Sequence, residues 1–346
     1  MSEKKIFQII TLSELGGAQT VVLNLANELA RQYEVTVIAG DGDGKLFQML
    51  DPAVKHIRIN SLKRNISLWN DFKTWRALRK LYAQYKPDII HLHSSKAGAL
   101  GRLAFPRDKI VYTVHGFDSI RLAYRKFLPI ERWLQKCCKA IVAVSHHDER
   151  SLKAERITHN VSCVYYGIGE SAAEPVKLTL PRRYRQKVLC IARISKQKRF
   201  STFLETAALL PEYAFIWIGN QEPVQNVPEN VFCLGSLKHA ESYNQAVDLF
   251  ILPTNYEGLP LVIFEALKYG LPVVASNVSG ISEIVVDNEN GYTVDNSGEA
   301  FAEKIKYILE NPKIAEKFSR NSLRRFQKDL TVNKMVAGYL KIYNIS

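Results

Sequence analysis

Two glutamates, Glu257 and Glu265, stand eight residues apart in EGLPLVIFEALKYGLPVVAS, a segment otherwise almost wholly apolar. Pro260 fits the first turn of a helix, where its missing N–H costs nothing. Glu257 then falls in the loop before that helix and Glu265 more than a turn into it, so the two do not stack on one helix face. They bracket a helix N-terminus whose free amides, near Leu261 and Val262, attract phosphate. Each carboxylate can accept hydrogen bonds from hydroxyls on either side of that phosphate, as a sugar and a ribose flanking a diphosphate would require. Structural alternatives are Glu257 as a capping group and Glu265 as half of a buried ion pair. Neither explains why so apolar a unit keeps both. Upstream, CIARISKQKRF sets Arg193 just after a strand-like run, with Lys198 five residues on. A guanidinium fork and an ammonium at a strand-to-helix turn suit a diphosphate. The alternative is a basic surface loop, since Lys196 and Arg199 are there too.

Other residues carry weaker signals. Gly16-Gly17 opens a helix after the first apolar run, where paired glycines let amides approach an anion. The dinucleotide spacing and the Walker lysine are both missing, so a plain strand-to-helix turn explains it equally well. Asp41 and Asp43, in DGDG, have the Asp-x-Asp form that can hold a divalent metal beside a diphosphate. No third ligand sits at calcium-loop spacing, and a short acidic turn is the simpler reading. Histidines end three strand-like runs: His91 and His93, His115, and His146-His147. His115 is the best placed, because Gly116 follows it and lets a ligand or backbone come close. The five cysteines are odd in number and scattered, which argues against a disulfide framework. No Cys-x-x-Cys or Cys/His spacing supports a metal site, and a reducing, cytoplasmic location fits.

The elements that position these residues alternate throughout. Apolar runs at 6–11, 34–39, 87–93, 109–115 and 140–145 read as strands, with helical spacing at 18–31 and 75–85. A polar, proline-containing stretch at 170–186 reads as a linker. The alternation then restarts, with strands at 188–192, 214–219, 231–234, 249–252, 273–276 and 291–294. Helices are expected at 200–210, 262–268, 300–309 and 312–325, and Thr331 caps a last helix to Tyr343. This is the pattern of two parallel sheets covered by helices. In open parallel sheets ligands bind beyond the carboxyl ends of the strands, which is where the residues above fall.

At 346 residues the chain suggests about two domains. Its longest apolar runs fall far short of a bilayer span, and its start reads as a first strand rather than a signal peptide. The net charge of +13 is uneven: residues 1–165 hold 26 Lys/Arg against 15 Asp/Glu. Most of the excess lies at 62–86 and 121–139, where Lys and Arg alternate with Trp, Tyr, Phe and Leu. Such a mixture suits anionic lipid headgroups. It equally suits amphipathic helices with a solvated basic face and aromatics in the core. No nucleic-acid-binding motif accompanies the charge.

In their order, these motifs resemble the retaining GT-B glycosyltransferases of family 4, also called group 1, and the likeness covers essentially the whole chain. Glu257 and Glu265 match that family's E-x7-E motif, Arg193 and Lys198 its Arg-x4-Lys, Gly16-Gly17 its N-terminal Gly-Gly, and His115-Gly116 its cleft histidine. FQKDLTVNKMVAGYLKIY is similar to the family's final helix. The resemblance implies an α/β, GT-B architecture of two Rossmann-like doubly wound domains facing across a cleft. An acceptor-binding domain would span 1–168 and a nucleotide-sugar-binding domain 169–326, with 327–346 a helix returning to the first. It further implies that Glu265 holds the nucleotide ribose and Glu257 contacts the transferred sugar. Gly258, Leu259, Leu261 and Val262 would line the donor, and Arg193 and Lys198 would neutralise the leaving diphosphate. Gly16-Gly17 amides would assist, and His115 would touch the donor sugar. No metal or cofactor is needed on this pattern. The implied reaction moves a hexose-type sugar from a nucleotide-diphosphate sugar, UDP favoured, to a glycan or polyprenyl-linked acceptor in polysaccharide biosynthesis. The protein would be cytoplasmic, peripheral on the inner face of an anionic membrane. Tyr166-Gly167-Ile168-Gly169 departs from the family's usual Asn-Gly-Ile-Asp. Rival readings are a nucleotide-sugar epimerase on the same fold, or a non-catalytic protein binding through the same cleft.

Overall fold

The computed structural model describes residues 3–169, 176–181 and 183–344; of the linker expected over 170–186, residues 170–175 and 182 lie outside the described residues. Two compact units divide the chain, Met1–Gly169 with Thr331–Ser346, and Glu170–Leu330. The first holds strands β1 (Lys5–Ile10), β2 (Glu34–Ala39), β3 (Lys55–Arg58), β4 (Ile89–His93), β5 (Ile110–Val114), β6 (Ala140–Ala143) and β7 (Val161–Cys163). They lie in the order β3-β2-β1-β4-β5-β6-β7. Between and around them run α1 (Gly17–Leu29), α2 (Lys45–Gln48), α3 (Leu68–Tyr85), α4 (Ser95–Ala104), α5 (Leu128–Leu134) and α6 (His146–Ala154). The second unit holds β8 (Lys187–Ile191), β9 (Ala214–Ile218), β10 (Val231–Cys233), β11 (Leu249–Leu252), β12 (Val273–Ser276) and β13 (Gly291–Val294), in the order β10-β9-β8-β11-β12-β13. Its helices are α7 (Phe200–Leu209), α8 (Leu261–Lys268), α9 (Gly298–Leu309) and α10 (Pro312–Asp329); α11 (Val332–Tyr343) belongs to the first unit.

Every strand pairing described is parallel. Strands covered on both faces must be apolar almost throughout, and IIHLH, IVYTV, AFIWI and LFIL are buried at every position. The two Rossmann-like sheets reverse their strand order between β1 and β4 and between β8 and β11. Those reversals open the crevices where ligands of such sheets bind.

The structure adds elements that the pattern did not signal. Edge strands β3 and β7 lack a buried apolar run. Helix α4 contains Gly98 and Gly101, poor helix formers. Yet a Cβ at Gly98 would meet the Tyr112 ring at 2.4 Å, and one at Gly101 the Leu92 side chain at 2.5 Å. Glycine lets this helix lie directly on β4 and β5. Helix α3 begins at Leu68 rather than Trp75, because the Ser67 hydroxyl caps it by accepting from the Asn70 amide. Its aromatics divide: Trp75, Tyr82 and Tyr85 pack on the core, whereas Leu68, Trp69 and Phe72 are 88%, 66% and 50% exposed. Likewise Leu122, Tyr124, Ile130 and Trp133 are exposed in the second basic stretch. Among the described residues no helix is long and apolar enough to cross a membrane.

Candidate functional site

In the second unit β8 and β11 are neighbours, in register Leu249↔Val188, so the loops after them meet. The Asn255 amide donates to the Gln197 carbonyl at 2.8 Å, Asn255 Nδ2 to the Lys196 carbonyl at 2.9 Å, and Gln197 Nε2 to the Tyr256 carbonyl at 2.7 Å. These bonds bring one charged side chain from each loop together: Lys198 Nζ lies 2.5 Å from Glu257 Oε1. Thr254 Oγ1 donates to the same oxygen at 2.8 Å. The Glu257 side chain is 9% and the Lys198 side chain 18% exposed, so water screens the pair weakly. Beneath it, the Thr254 amide donates to Ser276 Oγ at 2.8 Å, Ser276 Oγ to Asn296 Oδ1 at 2.5 Å, and Asn296 Nδ2 to the Thr254 carbonyl at 2.7 Å. This ring ties together the carboxyl ends of β11, β12 and β13. Sequence reading missed Thr254, Gln197, Ser276 and Asn296; uncharged side chains of that kind look like ordinary loop residues.

Helix α8 starts at Leu261 after Pro260, with no side-chain cap and no acidic residue in its first turn. The Ile263 amide already donates to the Pro260 carbonyl. The half-buried Leu261 and Val262 carry the earlier, uncapped amides. Gly258 is half-buried, but Leu259 is 4% exposed and packed inward, so only its main chain is available to a ligand. Glu265 lies one turn after Leu261, on the same helix face. It is partly exposed and has no hydrogen-bond or ion-pair partner among the described residues. Burial, reinforced by Glu241 and opposed by Lys268, pushes its carboxyl up to about 8. The ion-pair alternative therefore fails for Glu265, and Glu257 is a salt-bridge member rather than a helix cap. Arg193 is exposed and, among the described residues, unpaired. Together these groups offer an exposed cation, a fixed cation–carboxylate pair, a bare helix terminus and an unsatisfied carboxyl.

In the first unit Gly16 is the residue before α1, with extended backbone at φ −166°. A Cβ at Gly17 would meet nothing within 4 Å, and one at Gly16 would meet only the flexible Gln19 amide, at 3.0 Å. Packing therefore does not demand glycine there. Contrast Gly167, where a Cβ would sit 2.3 Å from the Thr331 carbonyl oxygen. Asp41 and Asp43 are exposed turn residues: Asp43 accepts from the Lys45 amide at 3.0 Å and pairs with its Nζ at 2.9 Å. His115 ends β5, and Gly116 takes the left-handed φ of 84° that frees the chain to turn. Neither His115 ring nitrogen is free: Nδ1 lies 2.5 Å from the Tyr166 hydroxyl and Nε2 2.9 Å from His93 Nδ1. Burial holds its pKa down to about 3. His146 and His147 instead meet Glu149 and Asp118.

The sequence offers no Cys/His metal spacing, but the fold brings His146, Glu149 and Cys163 together, with one ligand atom of each within 4.8 Å of the others. Glu149 is already paired with Lys153 at 2.7 Å, which opposes a cation. All five cysteines are free thiols.

Residues 15–171 match the family model of Glycosyltransferase Family 4, and residues 177–325 that of Glycosyl transferases group 1. The chain is 27% identical to the UDP-Gal:alpha-D-GlcNAc-diphosphoundecaprenol alpha-1,3-galactosyltransferase of Escherichia coli, over 99% of this chain and 97% of that protein. Among solved structures, sucrose-phosphate synthase from Thermosynechococcus elongatus matches with a TM-score of 0.84 at 20% identity, covering 99% of this chain and 98% of that one. Anabaena Alr3699/HepE in complex with UDP and glucose matches with a TM-score of 0.79 at 17% identity, covering 99% of each chain. These likenesses show a GT-B fold.

Proposed function

Because the chain belongs to the family-4, group 1 glycosyltransferases, we propose that it is a retaining hexosyltransferase using a UDP-sugar and a polyprenyl-diphosphate-linked glycan acceptor in surface polysaccharide assembly. The observation that carries the donor reading is the α8 terminus, with uncapped amides between a buried Lys198–Glu257 pair and an unpartnered Glu265. On this reading the amides and the two cations take the diphosphate. As the sugar–phosphate bond breaks, negative charge grows on the leaving oxygen, and Arg193, Lys198 and the helix terminus stabilise it. Lys198 exchanges part of its contact with Glu257 for phosphate, leaving Glu257 to bind hydroxyls of the transferred sugar. Glu265 accepts hydrogen bonds from the ribose diol. From the first unit, the reading assigns the Gly16-Gly17 amides to the anion and His115 to the sugar.

UDP is favoured because the Anabaena neighbour is described with UDP and glucose. The lipid-linked acceptor is favoured because the Escherichia coli relative's name specifies a diphosphoundecaprenol substrate. The exposed Trp69, Phe72 and Trp133 among basic residues fit a protein that works, without spanning it, at the cytoplasmic surface of an anionic membrane.

Calorimetric titration with UDP, GDP, ADP, CMP and their common sugar conjugates tests the reading. A UDP compound should bind best, and Glu265→Ala should weaken it about tenfold or more, the loss of a charge-assisted hydrogen-bond pair. If no nucleotide binds, with or without lipid, the transferase reading of this site fails.

A further inference from the structure

We propose that Gln8, His93 and Tyr166 are positioning residues for His115, acting through one hydrogen-bonded row with a single direction of proton donation, which Tyr343 extends into the C-terminal helix. Only the part His115 plays toward a sugar rests on the function proposed above; the row itself is a property of the first unit.

Gln8 is the buried polar residue of strand KIFQII, 0% exposed among apolar neighbours. Its Oε1 can only accept. It lies 2.6 Å from His93 Nε2, so His93 carries its proton on Nε2. The His93 ring is buried and its pKa is held well below the ordinary value by burial, then by His91 and His115. The ring is neutral, and its Nδ1 is an acceptor. That nitrogen lies 2.9 Å from His115 Nε2, which must donate. His115 Nδ1 is then an acceptor, facing the Tyr166 hydroxyl at 2.5 Å.

The other end requires the same order independently. Tyr166 is 5% exposed, and among the described residues its hydroxyl has no partner except His115. Its proton must go to His115 Nδ1. Were every bond in the row reversed, that phenol proton would be buried and unpaired, stripped of water with no acceptor in its place. An amide oxygen at one end and a phenol at the other thus select one tautomer for both rings between them.

The Gln8 amide carries the row onward. Its Nε2 donates to the Tyr343 hydroxyl at 3.2 Å, and that hydroxyl gives its proton to His91 Nδ1 at 2.7 Å. His91 Nε2 then donates to Thr113 Oγ1 at 2.7 Å, which lies 3.0 Å from the Tyr339 hydroxyl. Strands β1, β4 and β5, the segment after β7, and α11 therefore share one ordered row. Its consequence is chemical. With both nitrogens engaged, His115 exchanges no proton with a substrate. It supplies a neutral ring at a fixed place, and the main chain of His115-Gly116 turns at the end of β5 where that ring anchors it.

Long-range proton–nitrogen NMR of the full chain carrying nitrogen-15 histidine tests the row without any ligand. His93 and His115 should both appear as the Nε2–H tautomer from pH 5 to 8. Because either end alone fixes the order, Gln8→Met, of similar size but with no amide oxygen, and Tyr166→Phe should each leave His115 as the Nε2–H tautomer, and the double variant should turn its signals into an average of two tautomers. A His115 that carries its proton on Nδ1, or a single Nε2–H tautomer that persists in the double variant, overturns the proposal. Turnover of UDP-glucose and UDP-galactose supplies the second readout. Tyr166→Phe should lower kcat/KM for the donor roughly tenfold. A variant that only loses melting temperature, with kcat and KM unaltered, shows a structural row that does not position His115 for the reaction. If the wild type turns over neither donor, the functional reading fails while the NMR result still decides the row.

Discussion

Glu257 and Glu265 look alike in the sequence and differ in state. Glu257 is held by Lys198 and Thr254, whereas Glu265 has no partner and its carboxyl is pushed up to about 8 by burial. A group raised in this way holds its proton at neutral pH and must release it before accepting from two ribose hydroxyls. Binding that needs the ionised form therefore weakens as pH falls below about 8, by at most about tenfold per pH unit. UDP affinity measured from pH 6.5 to 8.5 should rise with pH in the wild type and flatten in Glu265→Gln. Equal slopes in the two proteins would remove the ribose role. The charged residues were legible because a carboxylate in an apolar segment, or a cation after a strand, has few structural reasons to be there. The engagement of His115 was not legible, because it depends on Gln8, His93 and Tyr166, which are far apart in sequence and unremarkable one at a time.

Among the elements, legibility follows burial. The central strands were readable because cover on both faces forces continuous apolar runs, whereas β3 and β7 lie at sheet edges and carry no such run. Helix α4 was hidden by its own glycines, whose propensity argues against a helix while the packing demands them. The close approach at Gly98 makes a direct test. Gly98→Ala gains helix propensity of somewhat under 1 kcal/mol. Its methyl group, however, would stand 2.4 Å from the buried Tyr112 ring. Tyr112 is 1% exposed and the neighbouring Arg102 guanidinium sits 4.2 Å above its ring centre, so the ring has little room to retreat. Overpacking of this kind costs about 1–3 kcal/mol, and the net change in urea unfolding should be destabilising. A variant as stable as the wild type or more so would mean that α4 lifts freely from the sheet.

On the scale of the whole chain, positive charge and exposed aromatic surface concentrate in the same portion. Residues 1–165 carry an excess of 11 positive charges out of a total of +13, and the most exposed aromatics among the described residues, Trp69, Phe72, Tyr124 and Trp133, belong to that same portion. Core packing accounts for only part of the two basic stretches, since Trp75, Tyr82 and Tyr85 pack inward while these do not. The cations divide as well. Arg79 donates to the Ala104 carbonyl and Arg125 pairs with Glu155, so neutralising either disturbs the fold. Lys63, Arg64, Lys73 and Lys126 are exposed, and Lys73 lies 4.9 Å over the Trp69 ring. These four are the cations to remove. Each Lys or Arg near an anionic bilayer contributes about 1 kcal/mol, so changing all four to Gln should reduce partitioning onto phosphatidylglycerol vesicles by about a hundredfold or more. Salt should weaken wild-type binding within the range where the screening length falls below about 10 Å. Trp69→Ala with Trp133→Ala should instead lower binding while leaving its salt dependence in place, because the rings contribute apolar burial rather than charge. Sedimentation that is the same on phosphatidylcholine as on phosphatidylglycerol, or that survives loss of all four cations, would mean that this surface serves something other than an anionic membrane.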